Sequence, residues 1–127
     1  MKTIQLEIMK MNYRATQEFE KDLKRLSKKF RTLESDILEF KKVLDKFPLG
    51  IGKHFCIITT TEKVRIVKAR FFCRCLKKKS LRIIYAYIDK QSEIAFIGIE
   101  FIELYFKGDK ASEDRERIKK YLASKNI

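Results

Sequence analysis

V-R-I-V-K-A-R-F-F-C-R-C-L-K-K-K-S-L-R-I-I-Y, residues 64–85, is the stretch that decides the fold. It reads as two β-strands joined by a strongly basic connection. The first, over 64–70, ends in Lys68 and Arg70, two residues apart and therefore on one face of a strand. The second, over 81–88, is β-branched and aromatic apart from Arg82. An arginine at the start of so apolar a strand needs a partner or a task, because burying it unpaired costs several kcal/mol. A solvated edge arginine is the plain reading. Three cations with no matching acid beside them in the sequence favour a phosphate ligand.

Outward from this pair, the pattern alternates between the two periods of secondary structure. Upstream, 54–60 reads as a strand, joined to 64–70 through a hairpin at Thr61, Glu62 and Lys63. Downstream, a turn at 89–92 leads to a strand over 94–106, long enough that Gly98 or Glu100 is expected to mark a bulge. Ahead of the strands, Thr16 caps a helix running to about Lys29, with Phe19, Leu23 and Leu26 on one side. A second helix starts near Thr32 and carries Leu33, Ile37, Phe40, Val43, Leu44 and Phe47 as its apolar stripe; Pro48 and Gly50 end it. A last helix is expected over 112–123 with Ser112 as N-cap. Ile4, Leu6 and Ile8 alternate with polar neighbours, so residues 1–12 read as an N-terminal strand or extension. The sum is an α+β domain over 1–127: a helical hairpin on an antiparallel sheet, followed by a C-terminal helix.

A chain of 127 residues is one domain by size and buries a core without disulfides or metals. Thirty Lys+Arg against 17 Asp+Glu give a net charge of +13, which attracts polyanions. Nucleic acid, the ribosome, an acidic protein and an anionic membrane surface are the candidate partners, beside a plain solubility charge. Three cysteines, with no apolar signal-like segment at residues 1–10, point to reduced thiols in the cytoplasm. C-R-C at 73–75 is not C-x-x-C, and His54 is the single histidine, so zinc would lack ligands. The cysteines therefore read as small, partly buried apolar residues. No stretch approaches the roughly 20 apolar residues of a membrane span.

An ordered set of short motifs runs through the chain: F-E-K-D-L-K-R-L at 19–26, I-V-K-A-R at 66–70, a lysine-rich loop ending in Lys79 and Ser80, R-I-I-Y at 82–85 and Y-F-K-G-D-K-A-S-E-D at 105–114. In that order they resemble the RelE/ParE toxin superfamily of toxin–antitoxin modules, nearest to its RelE- and HigB-like members, over about residues 13–122. The resemblance implies a compact microbial-RNase-like fold. It implies a ribosome-dependent mRNA endonuclease that needs no metal or cofactor and is held inactive by an antitoxin. It gives Arg82 the role of scissile-phosphate ligand, with Lys68, Arg70 and Lys107 as further basic positions. Tyr105, or Tyr121 in its place, would stack on a base or assist proton transfer. Lys77, Lys78, Lys79, Arg65 and Arg74 extend the basic surface for RNA. The chain departs from the family in having lysines where many members have glycines before R-x-x-Y, and in lacking a terminal histidine or tyrosine pair.

Such chemistry needs a base for the 2′-hydroxyl, cations for the transition state and an acid for the leaving 5′-oxygen. Arginine suits the second task by its planar fork. A lysine crowded by other cations has its pKa lowered and becomes a usable base. Glu62, Glu100, Glu103 and His54 are the conventional acid/base candidates; of these His54 reads more readily as a surface or structural histidine, and Glu103 is expected to pair with a lysine. Two other readings accompany the nuclease: a ParE-like gyrase poison of the same fold, and a basic RNA-binding module or degenerate toxin without catalysis.

Overall fold

The computed structural model describes residues 11–75, 81–88 and 98–125. Its elements in chain order are β1 (Tyr13–Ala15), α1 (Gln17–Ser27), α2 (Leu33–Lys46), a 3₁₀ turn (Gly52–His54), β2 (Phe55–Thr60), β3 (Val64–Phe71), β4 (Leu81–Ile88), β5 (Gly98–Phe106) and α3 (Arg115–Ser124). The class is α+β, as expected. The sheet is mixed, however, with order β1-β5-β4-β3-β2. β2 to β5 are antiparallel neighbours, but β1 runs parallel to β5, Tyr13 opposite Ile99. The wholly antiparallel sheet is therefore corrected at one edge. The strand expected over 4–8 lies outside the described residues, and the strand at this edge is the three-residue Y-R-A segment.

Alternation places one face of the sheet under the helical hairpin. Val67, Ala69 and Phe71 of β3 and Leu81, Ile83 and Tyr85 of β4 pack there against Phe19, Leu26, Leu33, Ile37, Phe40 and Leu44 of the two helices. Burial of these side chains drives the layer together at about 25 cal/mol per Å² of apolar surface. Thr16 caps α1 by accepting the Phe19 N–H at 3.1 Å. On α2 the expected stripe is too wide, since Val43 and Phe47 are exposed.

The opposite face is divided. Its Val64–Ile88 end is apolar and covered by Ile118 and Tyr121 of α3, which pack on Val64, Ile66, Ile84, Ala86 and Ile88. Its other end, where β3 finishes and β4 begins, holds the cations. The α3 N-cap is Asp114, whose carboxylate accepts the Arg117 N–H at 3.0 Å, so the helix begins two residues later than a Ser112 cap requires. The expected bulge in β5 exists but falls elsewhere. Tyr85 faces Phe101 and Ile84 faces Glu103, leaving Ile102 as the extra residue. It keeps Phe101 and Leu104 under the hairpin while Ile102 packs with α3. A second bulge at Ile58 of β2 had no sequence signal.

Gly98 serves the β1–β5 junction instead. Its φ is +151°, and a Cβ there would lie 2.4 Å from the Asn12 carbonyl oxygen, the same oxygen that accepts the Ile99 N–H. Gly98→Ala is expected to lower stability by roughly 1–3 kcal/mol, read as a lower urea midpoint at unchanged slope. An unchanged midpoint would contradict this account of the junction.

Candidate functional site

Strand register builds the site. Arg70 of β3 sits directly opposite Arg82 of β4, and Arg82 opposite Tyr105 of β5. One step along, Lys68 faces Cys56 of β2 on one side and Ile84 on the other, with Glu103 beyond. Like charges directly opposite in a sheet repel, so the Arg70–Arg82 rung gains from an anion. A cleft of about 430 Å³ opens over this end of the sheet. Lys68, Arg70, Arg82 and Lys107 all line it, so four of the five expected catalytic positions come together.

The cleft also holds what the sequence reading left out. Glu113, in the segment before α3, places its Oε1 2.9 Å from Lys68 Nζ, and its side chain is 4% exposed. Arg115 lies 3.4 Å from the other Glu113 oxygen. An acid therefore does match the cations, 45 residues from Lys68 in sequence. The consequence for Lys68 is the reverse of the one expected. Its hydrogen bond to Glu113 outweighs burial and holds its pKa above the ordinary lysine value. Lys68 is a fixed cation and not a base. In Glu113, burial raises the pKa, but the Lys68 hydrogen bond and charge dominate and hold it below the usual carboxylate range.

The linkage follows from these directions. Glu113, depressed in the fold, contributes stability above the ordinary carboxylate pKa, and that contribution is lost as pH falls through the depressed value. Lys68, raised in the fold, contributes below the ordinary lysine pKa and loses its contribution as pH rises through the raised value. The pair is thus intact across neutral pH. Glu113→Gln is expected to flatten the acid limb of a melting-temperature profile between pH 3 and pH 7 (a window chosen to span roughly the ordinary carboxylate range). An acid limb of unchanged steepness would remove this pair from the account.

Tyr105 lies beneath the cleft and not on its surface. It is 2% exposed, which leaves no face on which a base could stack. Burial pushes its pKa up, and the neighbouring Lys68 only partly offsets that. Its hydroxyl feels the Lys68 charge yet completes no hydrogen bond of normal geometry among the described residues. Tyr121 is no substitute, because it is buried under α3 with its hydroxyl donating to Glu100 Oε1 at 2.8 Å. Glu103 sits on the site's face of the sheet and, as expected, is taken up by a lysine, Lys110. Its Oε1 accepts the Asp114 N–H at 2.8 Å. It anchors the segment that carries Glu113.

The wider basic surface divides. Arg74 does not point into the cleft: its Nε donates to Asp36 Oδ1 at 2.6 Å and its Nη2 to Ser35 Oγ at 2.6 Å. It fastens the connection after β3 to α2. Arg65, odd-numbered like Val67 and Ala69, belongs to the other face and the far end of β3. Lys77, Lys78 and Lys79 lie outside the described residues.

His54 closes the 3₁₀ turn rather than opening β2, and it lines the cleft with Lys53. Its Nδ1 is buried without a hydrogen-bond partner among the described residues, and its ring meets Phe72 edge-on at 5.3 Å. The two positive-φ glycines that lead into the turn, Gly50 and Gly52, were the available signal.

Among the described residues, no group of three or more His, Cys, Asp or Glu side chains is placed to hold a metal ion. No described helix is long and apolar enough to cross a membrane. No family model matches the chain, and neither a curated protein nor a solved structure is detectably similar to it, so a functional reading rests on the site and the motifs alone.

Proposed function

We propose that this chain is the toxin of a toxin–antitoxin pair and acts as a ribosome-dependent endonuclease on mRNA. The observation that carries the reading is the convergence of Lys68, Arg70, Arg82 and Lys107 on one cleft, with two guanidinium groups on a single rung. Such a rung suits a phosphodiester whose negative charge grows in the transition state. Arg82 and Arg70 clamp the phosphate oxygens. Lys68, kept charged by Glu113, supplies a fixed positive field. His54 on the cleft wall, an imidazole that can both accept and donate a proton, is the group assigned to proton transfer. The net charge of +13 draws the protein to RNA and to ribosomal surfaces. The partner antitoxin is an acidic or mixed-charge segment that folds over this basic face.

The experiment is translation of a defined mRNA in a reconstituted system with purified protein, followed by mapping of 5′ ends. Discrete cuts in ribosome-bound message support the reading. Intact message together with trapped gyrase–DNA cleavage complexes would assign the ParE-like action instead. RNA binding with neither outcome would leave a non-catalytic module. Co-expression with the adjacent reading frame is expected to restore growth and yield a complex.

A further inference from the structure

Where β3 ends, the chain turns back onto the start of α2 and places two thiols side by side. Cys73 Sγ and Cys75 Sγ are 3.0 Å apart. Cys73 is buried and Cys75 exposed. Both are held from the same side. Thr32 gives its hydroxyl hydrogen to Asp36 Oδ2 at 2.6 Å. Its oxygen is thereby left to accept the Cys75 N–H at 3.2 Å, and it also lies 3.2 Å from Cys73 Sγ. The Arg74 N–H donates to the same Asp36 carboxylate at 2.9 Å. The turn is therefore pinned at three successive residues, and the two sulfurs are held in contact rather than left to chance encounter.

The two thiols differ in the way an attacking and a resolving thiol must. Burial and the hydrogen bond to Cys75 push the Cys73 pKa up to about 11. At Cys75 burial is the largest single influence and raises the pKa, but the hydrogen bonds from Cys73, the Thr32 region and its own backbone together outweigh it and hold the thiol below the ordinary value. The accessible sulfur is thus the more acidic of the two, and its neighbour is shielded from direct attack.

We propose that Cys73 and Cys75 form a redox-modification site, a dithiol that closes to an intrachain disulfide by exchange with a low-molecular-weight disulfide. The Cys75 thiolate attacks one sulfur of the small disulfide, forming a mixed disulfide and expelling one thiolate. Cys73 then gives up its proton to solvent and attacks the Cys75 sulfur. The second small thiolate leaves, and the Cys73–Cys75 bond forms. Two protein thiols are oxidised by two electrons, and the small disulfide is reduced to two thiols, each taking up one proton.

The test uses the full chain carrying Cys56→Ser, which removes the third, exposed thiol. The protein is incubated with oxidised glutathione at neutral pH, blocked with an alkylating reagent and weighed by mass spectrometry. The expected product has lost two hydrogens, carries no glutathione and takes up no alkylating group. In the same background Cys73→Ser is expected to stop at a stable glutathione adduct on residue 75. Cys75→Ser is expected to react more slowly than Cys73→Ser, by roughly ten-fold or more. A persistent glutathione adduct with both thiols present overturns the proposal, as do equal rates for the two single variants. None of these readouts depends on RNA cleavage.

Discussion

Arg82→Ala is expected, on the nuclease function proposed above, to slow mRNA cleavage by about 100- to 1,000-fold, the usual loss when one preorganised transition-state ligand is removed. Arg82 holds the middle position of its rung, between Arg70 and Tyr105, and the rest of its strand carries no charged side chain and is buried apart from the half-buried Tyr87. No neighbouring side chain of β4 can replace it. The loss should appear in the single-turnover rate at saturating ribosome complex and not in binding alone, because the developing charge is what Arg82 meets. Arg82→Lys is expected to recover part of the rate, since a point charge replaces a fork. Lys119→Ala is the control: that side chain is exposed on α3, where it pairs with Glu116 at 3.6 Å. Cleavage by Arg82→Ala at the wild-type rate would remove the rung from the mechanism.

The largest effect on stability is expected at Asp22 in α1. Its side chain is 6% exposed and accepts twice on Oδ2: from the Leu104 N–H at 3.1 Å and from Arg117 Nη1 at 2.7 Å. β1 pairs β5 only through Phe101, so the Leu104 N–H lies beyond its reach. Arg117 comes from α3, on the other side of the sheet, and also donates to the Ile102 carbonyl at 3.0 Å. One carboxylate thus completes a strand edge and joins the two helical layers around it. Asp22→Ala leaves a half-buried guanidinium without its carboxylate and a buried backbone N–H without its acceptor, expected to cost about 3–5 kcal/mol. Asp22→Asn keeps one acceptor oxygen and is expected to lose less. Urea unfolding of the two variants checks the order, and equal stability of Asp22→Ala and wild type would contradict it.

Residues with a strong local period were legible. The 81–88 strand matches β4 end to end, and Thr16 caps its helix, because both follow from neighbours in sequence. β1 was not legible, since three residues carry no usable alternation and its partner lies some 86 positions away. The α3 start was misplaced because Ser112 and Asp114 are equally good caps by type, and only the packing of Glu103 against the Asp114 N–H separates them. In the site, Lys68, Arg70 and Arg82 were found because strand parity sorts them onto one face. Glu113 was missed for the same reason that it matters: nothing local distinguishes a helix-entry acid from one that folds back onto a lysine. Arg74 and Asp36 show the converse, a basic residue whose partner sits 38 positions earlier.

The parallel edge also sets an order of assembly. β1 has no partner until residues 99–101 exist, and Lys107 and Glu113 follow later still. A chain emerging from the ribosome can form its α1–α2 hairpin and the β2–β3 hairpin from local contacts, which close fast. The first strand, the Asp22 bridge and the acid that holds Lys68 charged all wait for the final quarter of the chain. Synthesis and completion of the cleft are thereby separated in time, and a nascent chain carries its cations before it carries the geometry that aligns them.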